Sequence, residues 1–201
     1  MTTDTPPAWA EAILRWTLPV RDRETVTGDL VEEYRDSVLV ARGRRGADRW
    51  YGRQVAGFVV RAYAPFGVAL AVAIVLRDFF DWFAPPNDFY PRSLMTTWFA
   101  LALYTIAGFW AAWRTRSLAS SLIAAVTIAV VATLLESIVN GAFLAVKHDA
   151  QTLEAIRRSG GIEEAFTIPL ITLVPGAVAS TIGAVAAIVL RTTTRPLFLS
   201  S

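Results

Sequence analysis

Apolar residues gather into four long runs after about residue 58, and polar residues are confined to the joints between them. A helix needs roughly 20 apolar residues to cross about 30 Å of hydrocarbon. Leu94 to Trp113 meets that length without a charged residue, and so does Phe166 to Leu190. Leu118 to Val146 is broken only by Glu136 and Asn140 among strongly polar types. Phe58 to Leu76 carries Arg61 and Pro65. Arg61 is close enough to the end of its run to snorkel to the headgroups, and a proline kink is tolerated where neighbouring helices cover the freed carbonyl. The pattern predicts an all-α, polytopic membrane protein. Its four transmembrane helices lie at about 58–76, 94–113, 118–146 and 166–190, within a domain spanning 58–195. A small helical cytoplasmic domain at 1–57 precedes them, and 196–201 form a cytoplasmic tail.

The N-terminal segment has a different rhythm. Trp9, Ile13, Leu14 and Trp16 recur at helical spacing and stop at Pro19, which predicts a short amphipathic helix over 8–19. Val26, Leu30, Val31, Tyr34 and Val38 form a second apolar stripe on a helix from Asp22 or Glu24 to about Val40. Asp29, Glu32, Glu33 and Asp36 fall on its opposite face. Gly43 and Gly46 are expected to break this helix, and a third one from Ala47 runs toward the first span. Between the spans, Arg77 to Ser93, with Pro85, Pro86 and Pro91, reads as an irregular cap. Asp149 to Arg158 reads as a short amphipathic helix with Leu153 and Ile156 on one face, Asp149 as its N-cap, and Ser159, Gly160 and Gly161 as its stop.

Composition strengthens the membrane reading. Hydrophobic residues make up 54% of the 201, charged ones 18%, and mean hydropathy is +0.45. Soluble domains hold about 45–50% apolar and about 25% charged residues. A net charge of +2 gives no reason to expect nucleic acid, and the placement of charge is more telling. Ten arginines, Arg15 to Arg61, precede or open the first run, and Arg114, Arg116, Arg191 and Arg195 flank the same side of the bundle. The other side holds only Arg77, Arg92, Lys147, Arg157 and Arg158 as cations, and seven carboxylates. The positive-inside rule then puts both termini in the cytoplasm. Trp82 and Trp98 fall at the outer boundary and Trp110 and Trp113 at the inner one, as an aromatic belt would. No apolar h-region precedes residue 58, so the first span is expected to act as an internal signal anchor.

Several residues are candidates for interaction. Arg42, Arg44, Arg45, Arg49 and Arg53, with Trp50 among them, lie just ahead of the first span, where anionic headgroups attract each cation by about 1 kcal/mol. Asp29, Glu32, Glu33 and Asp36 either pair with that cluster or present an acidic face to a basic partner. Glu136 is the ionisable residue well inside a run, and Thr133 and Asn140 join it in a polar stripe at i−3 and i+4. Counting from Val146 places Glu136 about 15 Å deep. A bare carboxylate there is costly, so protonation or a hydrogen bond is expected, with Thr96, Thr97, Thr105 and Thr172 as candidate partners. The stripe is either a proton, cation or substrate site or an interhelical lock. Gly176, Ser180 and Ala184, like Gly67, Ala71 and Val75, form stripes for close packing within the bundle or between two copies. Pro169 and Pro175 predict a bent or locally unwound fourth span.

The chain lacks a Gly-x-x-x-x-Gly-Lys-Ser/Thr loop, a Gly-x-Ser-x-Gly elbow and cysteine, and His148 is its one histidine. No catalytic residue, cofactor site or metal site is therefore expected, and enzymatic activity is not.

Leu18-Pro19, Arg23-Glu24, Gly28-Asp29-Leu30, Glu32-Glu33-Tyr34, Gly46-Ala47, Trp50-Tyr51 and Gln54 together resemble the permease prefix domain, over roughly residues 8–60. That family is a short helical module ahead of bacterial ABC-type permeases. The resemblance implies a bacterial cytoplasmic (inner) membrane and a role in transport. The remaining three-quarters of the chain departs from a MacB-like permease, which carries a large extracytoplasmic domain where this chain has a short loop. The readings that follow are an accessory or permease-like subunit acting through a partner chain, a membrane-anchored regulator whose N-terminal helices bind a cytoplasmic protein, and a small homo-oligomeric channel lined by Glu136. The expected partners are the lipid bilayer and a permease, an ATPase, a cytoplasmic regulator or a second copy.

Overall fold

A computed structural model describes residues 5–147 and 149–193. His148, Arg195 and the tail at 196–201 lie outside the described residues. The described chain is helical, and four of its helical stretches are long and apolar enough to cross a membrane. The N-terminal helices α1 (Ala8–Thr17) and α2 (Arg23–Glu33) lead through a wide π-helical turn at Tyr34–Val38 into α3 (Leu39–Phe83). α4 (Tyr90–Thr115) and α5 (Ala119–Val146) follow, then the short α6 (Ala150–Ser159), α7 (Glu164–Ile171) and α8 (Leu173–Thr193). α3 packs on α5 and α4 on α8, and α7 closes against α5.

The N-terminal helices build their own core against the start of α3. Leu14 on α1, Leu30 on α2, Tyr34 and Val38 on the wide turn, and Tyr51 and Val55 on α3 are all buried together. Val26 and Val31, predicted for the same stripe, are half-buried. The Tyr34 hydroxyl donates to Asp48 Oδ1 at 2.6 Å, and Arg44 pairs with Asp48 at 3.2 Å. α1 stops at Thr17 because Pro19 cannot continue it, and the linker then docks on α4, with Val20 N–H donating to the Arg114 carbonyl at 3.2 Å. Arg23 Nη2 adds a hydrogen bond to the Thr115 carbonyl at 3.0 Å, which occupies the open C-terminus of α4.

Of the two glycines expected to break the second helix, only Gly43 does so (φ 63°, ψ 174°); Gly46 lies inside α3. From residue 44 the backbone then runs as one helix to Phe83, about 60 Å at helical rise. The prefix segment and the first apolar run therefore share a single rod. Pro65 removes one hydrogen bond but does not end it.

The joint at 77–93 is more ordered than the sequence implies. Arg77 to Phe83 stays helical, and α4 starts at Tyr90 with Pro91 in its first turn, so irregular chain is limited to about 84–89. Proline in a first turn costs no hydrogen bond, because that N–H has no partner in any helix. α6 forms as expected: Thr152 donates to Asp149 from both its backbone N–H and its hydroxyl, at 3.0 Å each. These bonds hold the Asp149 carboxyl below the usual carboxylate range. Gly160 (φ 138°) and Gly161 (φ 92°) end the helix where most side chains would be strained. Ile156 is buried against Trp82 and Ala165, whereas Leu153 stays exposed. Trp82 is thus a core residue rather than part of an aromatic belt, while Trp98 is exposed.

The fourth apolar run is two helices. Pro175 has no N–H for the Ile171 carbonyl and its ring crowds that carbonyl, and the run breaks between Ile171 and Leu173. The small-residue stripes serve the bundle itself. Gly176 lies against the Tyr104 ring, and Ser180 donates to the Ser121 carbonyl at 2.9 Å. Gly108 and Gly183 let α4 and α8 touch backbone to backbone, at the Ser180 and Thr105 carbonyls. Gly67 and Ala71 are likewise buried, Gly67 against Val131. The outward faces carry large apolar side chains such as Val72, Ile106, Leu134, Ile138 and Ile182. A surface of this kind suits lipid rather than water.

Candidate functional site

At the end of the bundle away from the N-terminus, charged residues and one amide, from four helices, meet. α3 brings Arg77, Asp78 and Asp81, α4 brings Arg92, α5 brings Glu136 and Asn140, and α7 brings Glu164. They meet because the buried stripe of α3, through Gly67, Leu70, Ala71 and Ile74, continues at the same spacing into Asp78 and Asp81.

Two guanidiniums organise the outer part. Arg77 Nε contacts Asp81 Oδ2 at 3.3 Å and its Nη2 contacts Glu164 Oε1 at 3.3 Å. Arg92 Nη1 reaches Asp81 Oδ1 at 2.9 Å. Asp81, fully buried, therefore has a cation on each oxygen, which buried charge requires. Glu164 and Arg92 are about one-third exposed, so this edge meets the surroundings.

In the inner part, Asp78 and Glu136 make no ion pair among the described residues. Asn140 is fully buried and donates from Nδ2 to Asp78 Oδ2 at 2.8 Å and to the Ala165 carbonyl at 2.7 Å. Glu136, one turn deeper on α5, is also fully buried, and neither of its carboxyl oxygens has a hydrogen-bond partner. Asn140 Oδ1 has none either. The predicted stripe is thus divided: Glu136 and Asn140 enter the cluster, while Thr133 is half-buried and spends its hydroxyl on the Ala129 carbonyl.

None of the four threonines expected to serve Glu136 does so. Thr96, Thr97 and Thr105 donate to the carbonyls four residues back on α4, and Thr172 donates to Pro169. A helical threonine has that local acceptor always within reach. The sequence reading also missed Arg77, Asp78, Asp81, Arg92 and Glu164 as site residues. Asp78 and Asp81 had a signal in the 3–4 spacing that carries the α3 stripe beyond Ile74, and Arg77 in its i,i+4 relation to Asp81, whereas Arg92 and Glu164, on α4 and α7, had none along the chain.

At the opposite end, Asp29, Glu32, Glu33 and Asp36 are all exposed, and among the described residues none of them makes an ion pair. Arg42, Arg44, Arg45, Arg49 and Arg53 are exposed too, with Arg44 taken by Asp48. Trp50 is buried and packs edge-on to Tyr51, so it belongs to the core and not to a contact surface. Arg21, Arg114, Arg116 and Arg191 surround a cavity of about 350 Å³ at this end. Arg114 stacks on Trp110 at 4.1 Å and Arg191 on Trp113 at 4.6 Å. Arginine held on tryptophan at the rim of an apolar bundle is suited to contact with anionic headgroups.

The chain matches no protein-family model, no curated protein and no solved structure.

Proposed function

We propose that the protein is an integral membrane accessory or permease-like subunit of a bacterial transport system, acting through a partner chain. The observation that carries this reading is the single rod of α3. Its first turns belong to the core beneath the exposed acidic face, and its last turns supply Arg77, Asp78 and Asp81 to the polar cluster. A partner bound to Asp29, Glu32, Glu33 and Asp36, on α2 and the wide turn, would act on the far cluster through the shared N-terminal core and then the rod that begins at residue 44. The resemblance of residues 8–60 to the permease prefix domain supports the same reading, because that module accompanies transport machinery. The surplus of arginine at the end bearing the N-terminal helices favours a cytoplasmic position for that end in an inner membrane.

The regulator reading draws on the same acidic face and predicts a soluble partner instead. The homo-oligomeric channel reading is disfavoured, because Glu136 is enclosed by one chain's own helices and does not face a second copy.

Photo-crosslinking residues introduced at Glu32, Glu33 and Asp36 in native membranes test the proposal. The expected result is a discrete adduct with a chain that hydrolyses ATP or supplies further spans. An adduct with a soluble protein would move the function to regulation, and adducts with lipid or with the same chain alone would refute a partner-dependent role.

A further inference from the structure

The polar cluster contains more negative charge than its cations can balance. Asp78, Asp81, Glu136 and Glu164 face only Arg77 and Arg92, and both guanidiniums are committed to Asp81 and Glu164. Asp78 is 4% exposed and keeps one amide hydrogen bond, from Asn140. Glu136 is 0% exposed and keeps none. An unpaired carboxylate at that depth faces a desolvation cost of several kcal/mol, which a neutral acid escapes. A proton is also the ligand that best suits the surroundings. It needs one oxygen rather than a coordination shell, and no group of three or more metal-binding side chains converges among the described residues.

We propose that Glu136 is a reversible proton-binding site, and that Asn140 and Asp78 form its polar link toward the exposed edge at Glu164 and Arg92. On binding, the proton joins one Glu136 carboxyl oxygen, and on release it returns to the surroundings at that edge. Asn140 Oδ1, which has no donor of its own, belongs to the residue one turn away on the same helix and is available to accept from the protonated acid. Asp78, Arg77 and Glu164 are the charged groups that act on Glu136, and Asp81 and Arg92, the cluster's other charges, are paired with each other. The inference needs only this chain and stands or falls without the partner.

The test uses the purified full chain in proteoliposomes, treated with the hydrophobic reagent dicyclohexylcarbodiimide, which attacks a protonated carboxyl in an apolar setting. Peptide mapping across a pH series should find the adduct on Glu136. Its yield should fall about tenfold for each pH unit beyond the titration point. Glu136→Gln should lose the adduct and keep its melting temperature, since glutamine is the neutral isostere of the acid. Absence of the adduct at every pH where the bundle stays folded would overturn the proposal. Suppression by sodium ions at fixed pH would also overturn it, and would assign the site to a monovalent cation. Neither failure affects the crosslinking outcome.

Discussion

Asn140 on α5 gives one amide hydrogen to Asp78 on α3 at 2.8 Å and another to the Ala165 carbonyl at the start of α7 at 2.7 Å. One side chain thereby ties three helices at the depth where the bundle is most polar. Because two unrelated helices depend on it, the substitution Asn140→Ala strands a buried carboxylate and a buried carbonyl together. The expected loss is about 1–2 kcal/mol of bundle stability, in keeping with interhelical hydrogen bonds in membranes. Unfolding in mixed micelles measures it.

The α4–α8 crossing depends on Gly108 and Gly183, each of which meets a carbonyl of the other helix. In lipid there is little hydrophobic drive between helices, so close packing holds them. Even a methyl group at Gly108 would run into the Ser180 backbone, which has no rotamer to yield. Gly108→Ala should cost about 1–3 kcal/mol as an overpacking change, and Gly108→Leu should abolish the folded bundle. A matched Gly57→Ala change on α3, where nothing crowds the site, should be tolerated. Thermal unfolding of the three proteins separates these outcomes.

Two tyrosines in the N-terminal core should respond differently. Tyr34 donates to Asp48 at 2.6 Å, and Tyr34→Phe should cost about 1.5–3 kcal/mol, the range for a hydrogen bond to a charged group. The Tyr51 hydroxyl is buried without a partner, so Tyr51→Phe should be neutral or stabilising. Burial, aided by the Glu11 charge, pushes the Tyr51 phenol up to about 12. Its ordinary value is about 10. The folded state therefore favours the neutral phenol. That contribution is complete below pH about 10 and is lost as pH rises through about 12. Fluorescence of Trp50 should report alkaline loosening in the wild type, and Tyr51→Phe should delay it. An unchanged alkaline profile in the variant would show that Tyr51 does not govern the transition.

The parts of the fold that lipid or proline dictates were legible in the sequence. Uncharged runs such as Leu94 to Trp113 have no other stable solution, and Pro19 and the Gly160-Gly161 pair end their helices for local steric reasons. The site was only half legible. Glu136 and Asn140 stood out against an apolar background, but a hydropathy reading stops at the first charge and so treated Arg77, Asp78 and Asp81 as loop. Arg77 and Asp81 pair at i,i+4 within α3, but Arg92 from α4 and Glu164 from α7 complete the charge balance only once those helices converge. Gly46 was overread because glycine ends a helix only where the backbone turns, and the turn is made at Gly43. Trp50 was misplaced because its arginine neighbours look like a surface, while its own side chain follows the buried stripe of Ala47, Tyr51 and Val55.

The most direct measurement is the sidedness of two introduced thiols in a chain that has no cysteine of its own. Glu33 on α2 and Glu154 on α6 are both exposed, at opposite ends of the bundle. On intact cells a membrane-impermeant maleimide should modify Glu154→Cys at once, and Glu33→Cys only after the membrane is opened. Modification of Glu33→Cys from outside, or equal labelling of both positions in intact cells, would contradict a bundle that crosses the membrane four times with its N-terminal helices inside.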